Sequence, residues 1–170
     1  MTNIMLFAQP YDISATGFYF ETVEQYDAQA AKAVNAYGQR VEEFEIQFID
    51  GERIDFALSR AWELCQVNFA AFLEAAQSWD EEKKHLYIIA VGDCGYGHFD
   101  VVDDPDGIEI DLYSVESLRE LAENFVDEGL FGEVPDSLAS HIDYDSIARD
   151  LAADFSETEI AGEKLVYAYR

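Results

Sequence analysis

Apolar and polar residues recur at two different periods along this chain, and the changes of period divide it. Residues 4–9 (IMLFAQ) and 16–21 (TGFYFE) are short runs of branched and aromatic residues. A loop containing Pro10 and Asp12 separates them, so they predict two strands. Residues 23–37 are Ala-rich and predict a helix, with Gly38 placed where a helix stop is expected. Residues 43–49 (EFEIQFI) alternate at period two, a half-buried strand that Asp50-Gly51 ends. Residues 1–53 thus read as a small β-β-α-β unit.

The period then lengthens. Ile54, Leu58, Ala61, Trp62 and Cys65 recur at helical spacing, and Phe69, Phe72, Leu73 and Ala76 do so again, which predicts two short helices. Residues 86–91 (LYIIAV) form an unbroken apolar run of strand length. Residues 97–102 and 108–113 alternate on either side of Asp103-Asp-Pro-Asp-Gly107 and predict a hairpin. The middle unit, 54–106, therefore mixes helix and strand.

In residues 107–170, Ser114 suits a helix N-cap, with Tyr113 and Leu118 as a hydrophobic staple and Gly129 just past the end. Leu118, Leu121, Ala122 and Phe125 make its apolar stripe. Two shorter helices follow at 136–140 and 144–152. A closing hairpin joins 158–160 to 165–169, and the aromatic-rich last strand offers an edge or apolar patch for a second copy of the chain. The prediction is an α+β chain of small units in a row, elongated, ending in three helices with a short antiparallel sheet.

Charge changes this picture most. The chain holds 36 Asp and Glu against 10 Lys and Arg, a net charge of −26, far beyond what solubility requires. Yet 49% of it is hydrophobic and 14% aromatic, so it is not a disordered acidic tail. A surface this negative repels nucleic acid and anionic lipid and attracts basic proteins. The opening residues MTNIMLFAQPYD lack the basic region of a signal peptide. No run reaches the ~18 apolar residues of a membrane span, and the two cysteines form no framework. A cytoplasmic protein is expected.

Glu116, Glu120, Glu123 and Asp127 fall 4, 3 and 4 residues apart, on one face of a helix beginning at Val115. They span roughly 16 Å, one carboxylate per ~5.5 Å. A DNA strand presents a phosphate every ~3.4 Å, so several such rows are needed to imitate a duplex. Asp103, Asp104, Asp106 and Asp111 precede this row, and Glu128, Glu133, Asp136, Asp143, Asp145 and Asp150 follow it. Like charges at i,i+4 cost stability, and no base is expected to neutralise them. That cost points to a use, and these residues are the candidate site, an acidic surface for a basic partner.

Chemistry finds no comparable foothold. Asp104, Asp106 and Gly107 match the EF-hand pattern, but Val102 and Tyr113 occupy its first and last ligand positions. Cys94 and His98 lie near each other after an apolar run, but acidic surroundings raise a thiol pKa instead of lowering it. His85 and His141 show no zinc spacing with His98, and there is no phosphate-binding glycine loop. No catalytic residue, cofactor or metal is expected, and the chain does not read as an enzyme.

Gly132-Glu-Val-Pro-Asp-Ser-Leu138, His141-Ile-Asp-Tyr-Asp145 and Ala148-Arg-Asp-Leu151 resemble the C-terminal part of the ArdA-type antirestriction family. The helix before them shares the resemblance, and Glu42-Glu-Phe-Glu-Ile46 is similar to the acidic strand closing that family's N-terminal unit. The resemblance implies an elongated homodimer of three-unit chains that imitates bent B-form DNA. It also implies an inhibitor that occupies the DNA groove of type I restriction-modification enzymes and is carried by mobile elements. The other reading is a general acidic module that sequesters some different basic DNA-binding protein.

Overall fold

A computed structural model describes residues 3–170. Among them are eight helices and two three-stranded antiparallel sheets, an α+β architecture. The chain divides into two compact units, Met1–Asp106 and Gly107–Arg170. No helix among the described residues is long and apolar enough to cross a membrane.

The first unit opens β1 (Met5–Pro10), β2 (Phe18–Phe20), α1 (Val23–Ala30), β3 (Phe44–Asp50), as the alternation predicts. β1 is central, with the sheet in the order β2-β1-β3. Leu6 pairs with Phe20 on one side and Phe48 on the other. Period-two alternation buries Leu6, Ala8, Phe20, Phe44 and Ile46 on one face. Tyr26 of α1 sits 5.1 Å from the Phe20 ring and 4.5 Å from Phe69. Such ring pairs contribute about 0.5–1.5 kcal/mol beyond the area they bury.

Three helices complete this core: α2 (Arg53–Ala61), α3 (Phe69–Ser78) and α4 (Glu81–Gly92). α2 and α3 match the helical spacing. α4 overturns the strand expected at 86–91. Asp80 caps it, accepting from the Lys83 amide at 2.9 Å, and Glu81 and Glu82 fill its first turn. LYIIAV is apolar all round because Leu86, Tyr87, Ile89 and Ala90 are all buried, and periodicity over six residues cannot separate a buried helix from a buried strand.

The hairpin expected around 103–107 is likewise absent from its place. His98–Val101 is a short helix, α5, and Pro105–Gly107 a single 3-10 turn. At the start of α5 the Asp100 carboxylate accepts from the Gly97 amide at 3.1 Å. α1 is also shorter than predicted. Asn35 diverts the chain, its side-chain oxygen accepting from the Tyr37 and Gln39 amides, so Gly38 belongs to a turn.

In the second unit β4 (Ile110–Tyr113), β5 (Ser156–Ile160) and β6 (Glu163–Tyr169) form a sheet in the order β4-β6-β5. The partner of β4 is thus the C-terminal strand, and β6 is central. It buries Leu165, Val166 and Ala168 and offers no free edge, against expectation. Ala161 and Gly162 link β5 to β6 with φ of +56° and +90°, both left-handed as a two-residue hairpin turn requires. The helices are α6 (Leu118–Asp127), α7 (Asp136–Ala139) and α8 (Tyr144–Leu151). Leu121 and Phe125 of α6 pack with Val115 and Val166, and Leu118, Leu151 and Phe155 close over them.

One buried ion pair joins two helices of the first unit. Lys84 of α4 donates to Asp55 of α2 at 2.6 Å, both buried. Removing one partner of such a pair strands a charge in the core. Asp55→Ala is expected to cost about 3–5 kcal/mol by urea unfolding, whereas Asp55→Leu with Lys84→Met should be near neutral or stabilising.

Candidate functional site

Helix α6 begins at Leu118, not Val115. Ser117, not Ser114, is its N-cap, accepting from the Glu120 amide at 3.2 Å. The sequence signal was Ser117-Leu-Arg-Glu120, a serine followed three residues later by glutamate. The staple expected from Tyr113 and Leu118 therefore loses its register. The far end is as predicted: Gly129 has φ +75°, and the Leu130 and Gly129 amides donate to the Phe125 and Val126 carbonyls, the Schellman pattern.

This start changes the acidic row. Glu116 lies before the helix, exposed, and its amide donates to the Glu120 carboxylate at 2.7 Å. Glu120, Glu123 and Asp127 remain on one face, opposite the buried Leu121, Ala122 and Phe125. Glu157, a residue outside the expected set, accepts from the Leu118 amide at 2.7 Å. Two carboxylates thus satisfy amides at and just before the start of α6, where the helix dipole favours negative charge.

Bases also reach the row, contrary to expectation. Arg119 binds Glu123 at 3.2 Å and Asp145 of α8 at 2.9 Å, so a single guanidinium ties the two helices. Asp111 of β4 pairs with Arg170, and Asp106 in the first unit pairs with Lys83 at 2.9 Å. Asp143 caps α8, accepting from the Ser146 amide at 3.0 Å.

The remaining candidates stand differently. Asp103, Asp104, Glu116, Asp127, Glu128, Glu133, Asp136 and Asp150 are all exposed, and none makes an ion pair among the described residues. Asp136 opens α7, where its charge is favourable. Asp127 and Glu128 close α6, and Asp150 sits in the last turn of α8. Carboxylates at helix C-termini face the negative end of the dipole and cost stability. Folding gives no reason for these three.

His98 sits among aromatic partners. The His98 Nδ1 is 2.6 Å from the Tyr87 hydroxyl, and its ring lies 4.6 Å from Trp62. Burial lowers the His98 pKa against the opposing pull of Asp103. Burial, then Asp93, raises that of the Cys94 thiol, the reverse of what a nucleophile needs. Burial also holds the Tyr87 hydroxyl protonated well above its usual range.

Exposed apolar side chains were harder to anticipate. Leu130, Phe131, Val134 and Leu138 project from the segment between α6 and α8, and nothing in their spacing distinguishes them from core residues.

The two kinds of carboxylate should separate on mutation. Glu120→Ala removes an acceptor from the start of α6 and should cost about 0.5–2 kcal/mol. Asp127→Asn and Asp150→Asn should leave the melting temperature unchanged or raise it. Calorimetric melting of the three variants distinguishes them.

No curated protein matches the chain. The family model described as antirestriction protein (ArdA) matches residues 14–162, spanning most of both units. On that match, joined to the acidic second unit, the chain belongs to the ArdA antirestriction family.

Proposed function

We propose that this protein is a DNA mimic that blocks type I restriction-modification enzymes by occupying their DNA-binding groove, and that it catalyses no reaction. The observation that carries the reading is the set of exposed carboxylates at helix C-termini, Asp127, Glu128 and Asp150, which weaken the helices bearing them. A residue kept against the stability of its own helix serves something outside the fold.

The mechanism is electrostatic. Such an enzyme holds DNA through Lys and Arg contacts to phosphate, whose strength comes from releasing counterions. Fixed carboxylates reproduce that field without base edges, so one inhibitor serves against enzymes that read different sequences. A net charge of −26 equals that of roughly 44 Å of duplex at one charge per ~1.7 Å. Asp103, Asp104, Glu116, Asp127, Glu128, Glu133, Asp136 and Asp150 face the enzyme's bases. Asp106, Asp111, Glu123 and Asp145 contribute charge partly offset by Lys83, Arg170 and Arg119, while Glu120 and Asp143 act mainly as caps.

The working form is a cytoplasmic homodimer. Leu130 and Phe131, 61% and 57% exposed, with Val134 and Leu138 nearby in sequence, supply an apolar patch for a second copy. Leu130→Ser with Phe131→Ser is expected to convert dimer to monomer in sedimentation at micromolar concentration. A wild-type monomer there would refute the dimer.

Neutralising Asp127, Glu128, Glu133 and Asp136 to Asn or Gln should weaken binding to a type I enzyme and flatten its dependence on salt, with the fold intact. Each single change should do little. DNA should compete with the wild-type protein for the enzyme. Simultaneous occupancy of the enzyme by protein and DNA, or binding insensitive to ionic strength, would refute the decoy mechanism.

A further inference from the structure

Helix α3 ends against a cavity of the first unit, about 640 Å³ in volume. Ser78 and Trp79 line it from the helix end, Glu74 from one turn earlier, Glu52 from the start of α2, and Glu81 and Lys84 from α4. That volume is typical of a small-molecule site. Ile54 and Ala76, both buried, supply an apolar part of its wall.

The charge on this wall has one sign. Glu52, Glu74 and Glu81 are exposed carboxylates. Lys84 is the one base among the described lining residues, and it is already committed: its Nζ holds the buried Asp55 at 2.6 Å, so the pair adds no net charge. The other Asp55 oxygen, Oδ2, is buried with no hydrogen-bond partner among the described residues. An unsatisfied acceptor therefore lies within a carboxylate's width of the lysine that lines the cavity, and leaving it so costs stability. The end of α3 has the same sign. It carries no base in its last turn, and its last carbonyls form the negative end of the helix dipole. The opposing positive start of α4 is offset by Asp80, Glu81 and Glu82.

These acceptors call for a cation, and their placement selects its kind. Glu52, Glu74 and Glu81 come from three elements and do not converge into a metal-holding group among the described residues. A calcium ion takes its oxygens at about 2.3–2.6 Å, which carboxylates spread around such a cavity do not provide. A flexible chain with a charge at each end reaches more than one of them. Its methylenes can lie along Ile54 and Ala76, as lysine stems lie along apolar surface. The Trp79 ring, held 5.7 Å from Trp62 and 5.5 Å from Tyr87, adds an aromatic face for a cation.

We infer that this cavity binds a linear aliphatic polyamine, its ammonium groups held by Glu52, Glu74 and Glu81 and its methylenes by the apolar wall. The site does not depend on the decoy reading. A polyamine bound there relieves part of the charge repulsion within the first unit and stabilises the folded chain by mass action.

Spermidine is titrated into the full-length protein at physiological ionic strength with millimolar Mg²⁺ present. Emission from the chain's two tryptophans, Trp62 and Trp79, reports binding. A single saturable transition at one spermidine per chain is expected, with a raised melting temperature. Butylamine, with one charge, should bind about tenfold more weakly or worse. Glu74→Gln with Glu81→Gln should weaken spermidine binding by about tenfold. Asp127→Asn with Asp150→Asn removes the same charge from the second unit and should leave the affinity unchanged. Binding that does not saturate, equal affinity for butylamine, or equal weakening by the two double variants would mean an adventitious counterion only, and overturns the site. The butylamine comparison needs no variant, so it decides even where a substitution unfolds the chain. No restriction enzyme enters the measurement, so either outcome leaves the decoy mechanism standing.

Discussion

Holding 36 carboxylates on 170 residues creates a self-repulsion that every element of the fold has to outweigh. Charge of one sign favours the expanded chain, and net stability of ordinary domains is only about 5–15 kcal/mol. The compensation is visible in the aromatic packing. In the first unit Phe20, Tyr26, Phe44 and Phe69 interlock beneath the sheet, and Trp62 meets Phe72, Trp79 and Tyr87 among the helices. In the second, Phe125 contacts Tyr113, Phe131 and Phe155. Large rings bury much area per residue, which leaves more positions free for acids.

The same constraint explains how the few bases are used. Lys84 is committed to Asp55 within the core, and Arg119 bridges two helices. Lys83 reaches Asp106 and Arg170 reaches Asp111, while Arg119 holds Glu123 within α6 as well as Asp145 on α8. Elsewhere in the second unit carboxylates take over helix-capping work, Glu120 and Glu157 on α6 and Asp143 on α8. An acid at a helix start adds both stability and charge, so part of the acidic excess assists folding.

Much of the fold was legible because period and punctuation agreed. β1, β3, α2, α3 and the β5–β6 hairpin follow from alternation or helical spacing bounded by Gly, Asp or loop residues. Misreadings arose where burial erased the period. LYIIAV is buried on nearly every side of α4, so its capping by Asp80 was the only local clue. Gly97–Val102 alternates, yet β4 finds its partner over fifty residues later in β6, a pairing no local pattern encodes. The candidate acids were legible as a set, but their division into caps, paired charges and unpaired ones was not. That division depends on where Ser117 starts α6 and on which carboxylates Arg119 reaches. The exposure of Tyr11 and Tyr37 was invisible for a simpler reason: in sequence they look like any core aromatic.

Carboxylates that touch nothing else in the fold have a consequence for descent. Asp127, Glu128 and Asp150 are not packed, capped or paired among the described residues, so replacing one disturbs no neighbour. Lineages carrying such a surface can gain, lose or shift a charge by one codon change without repacking a core. Arg119 and Glu120 lack that freedom. Divergence among descendants should therefore concentrate in the unattached acids, while the rings beneath and the few charges that stitch helices together change slowly.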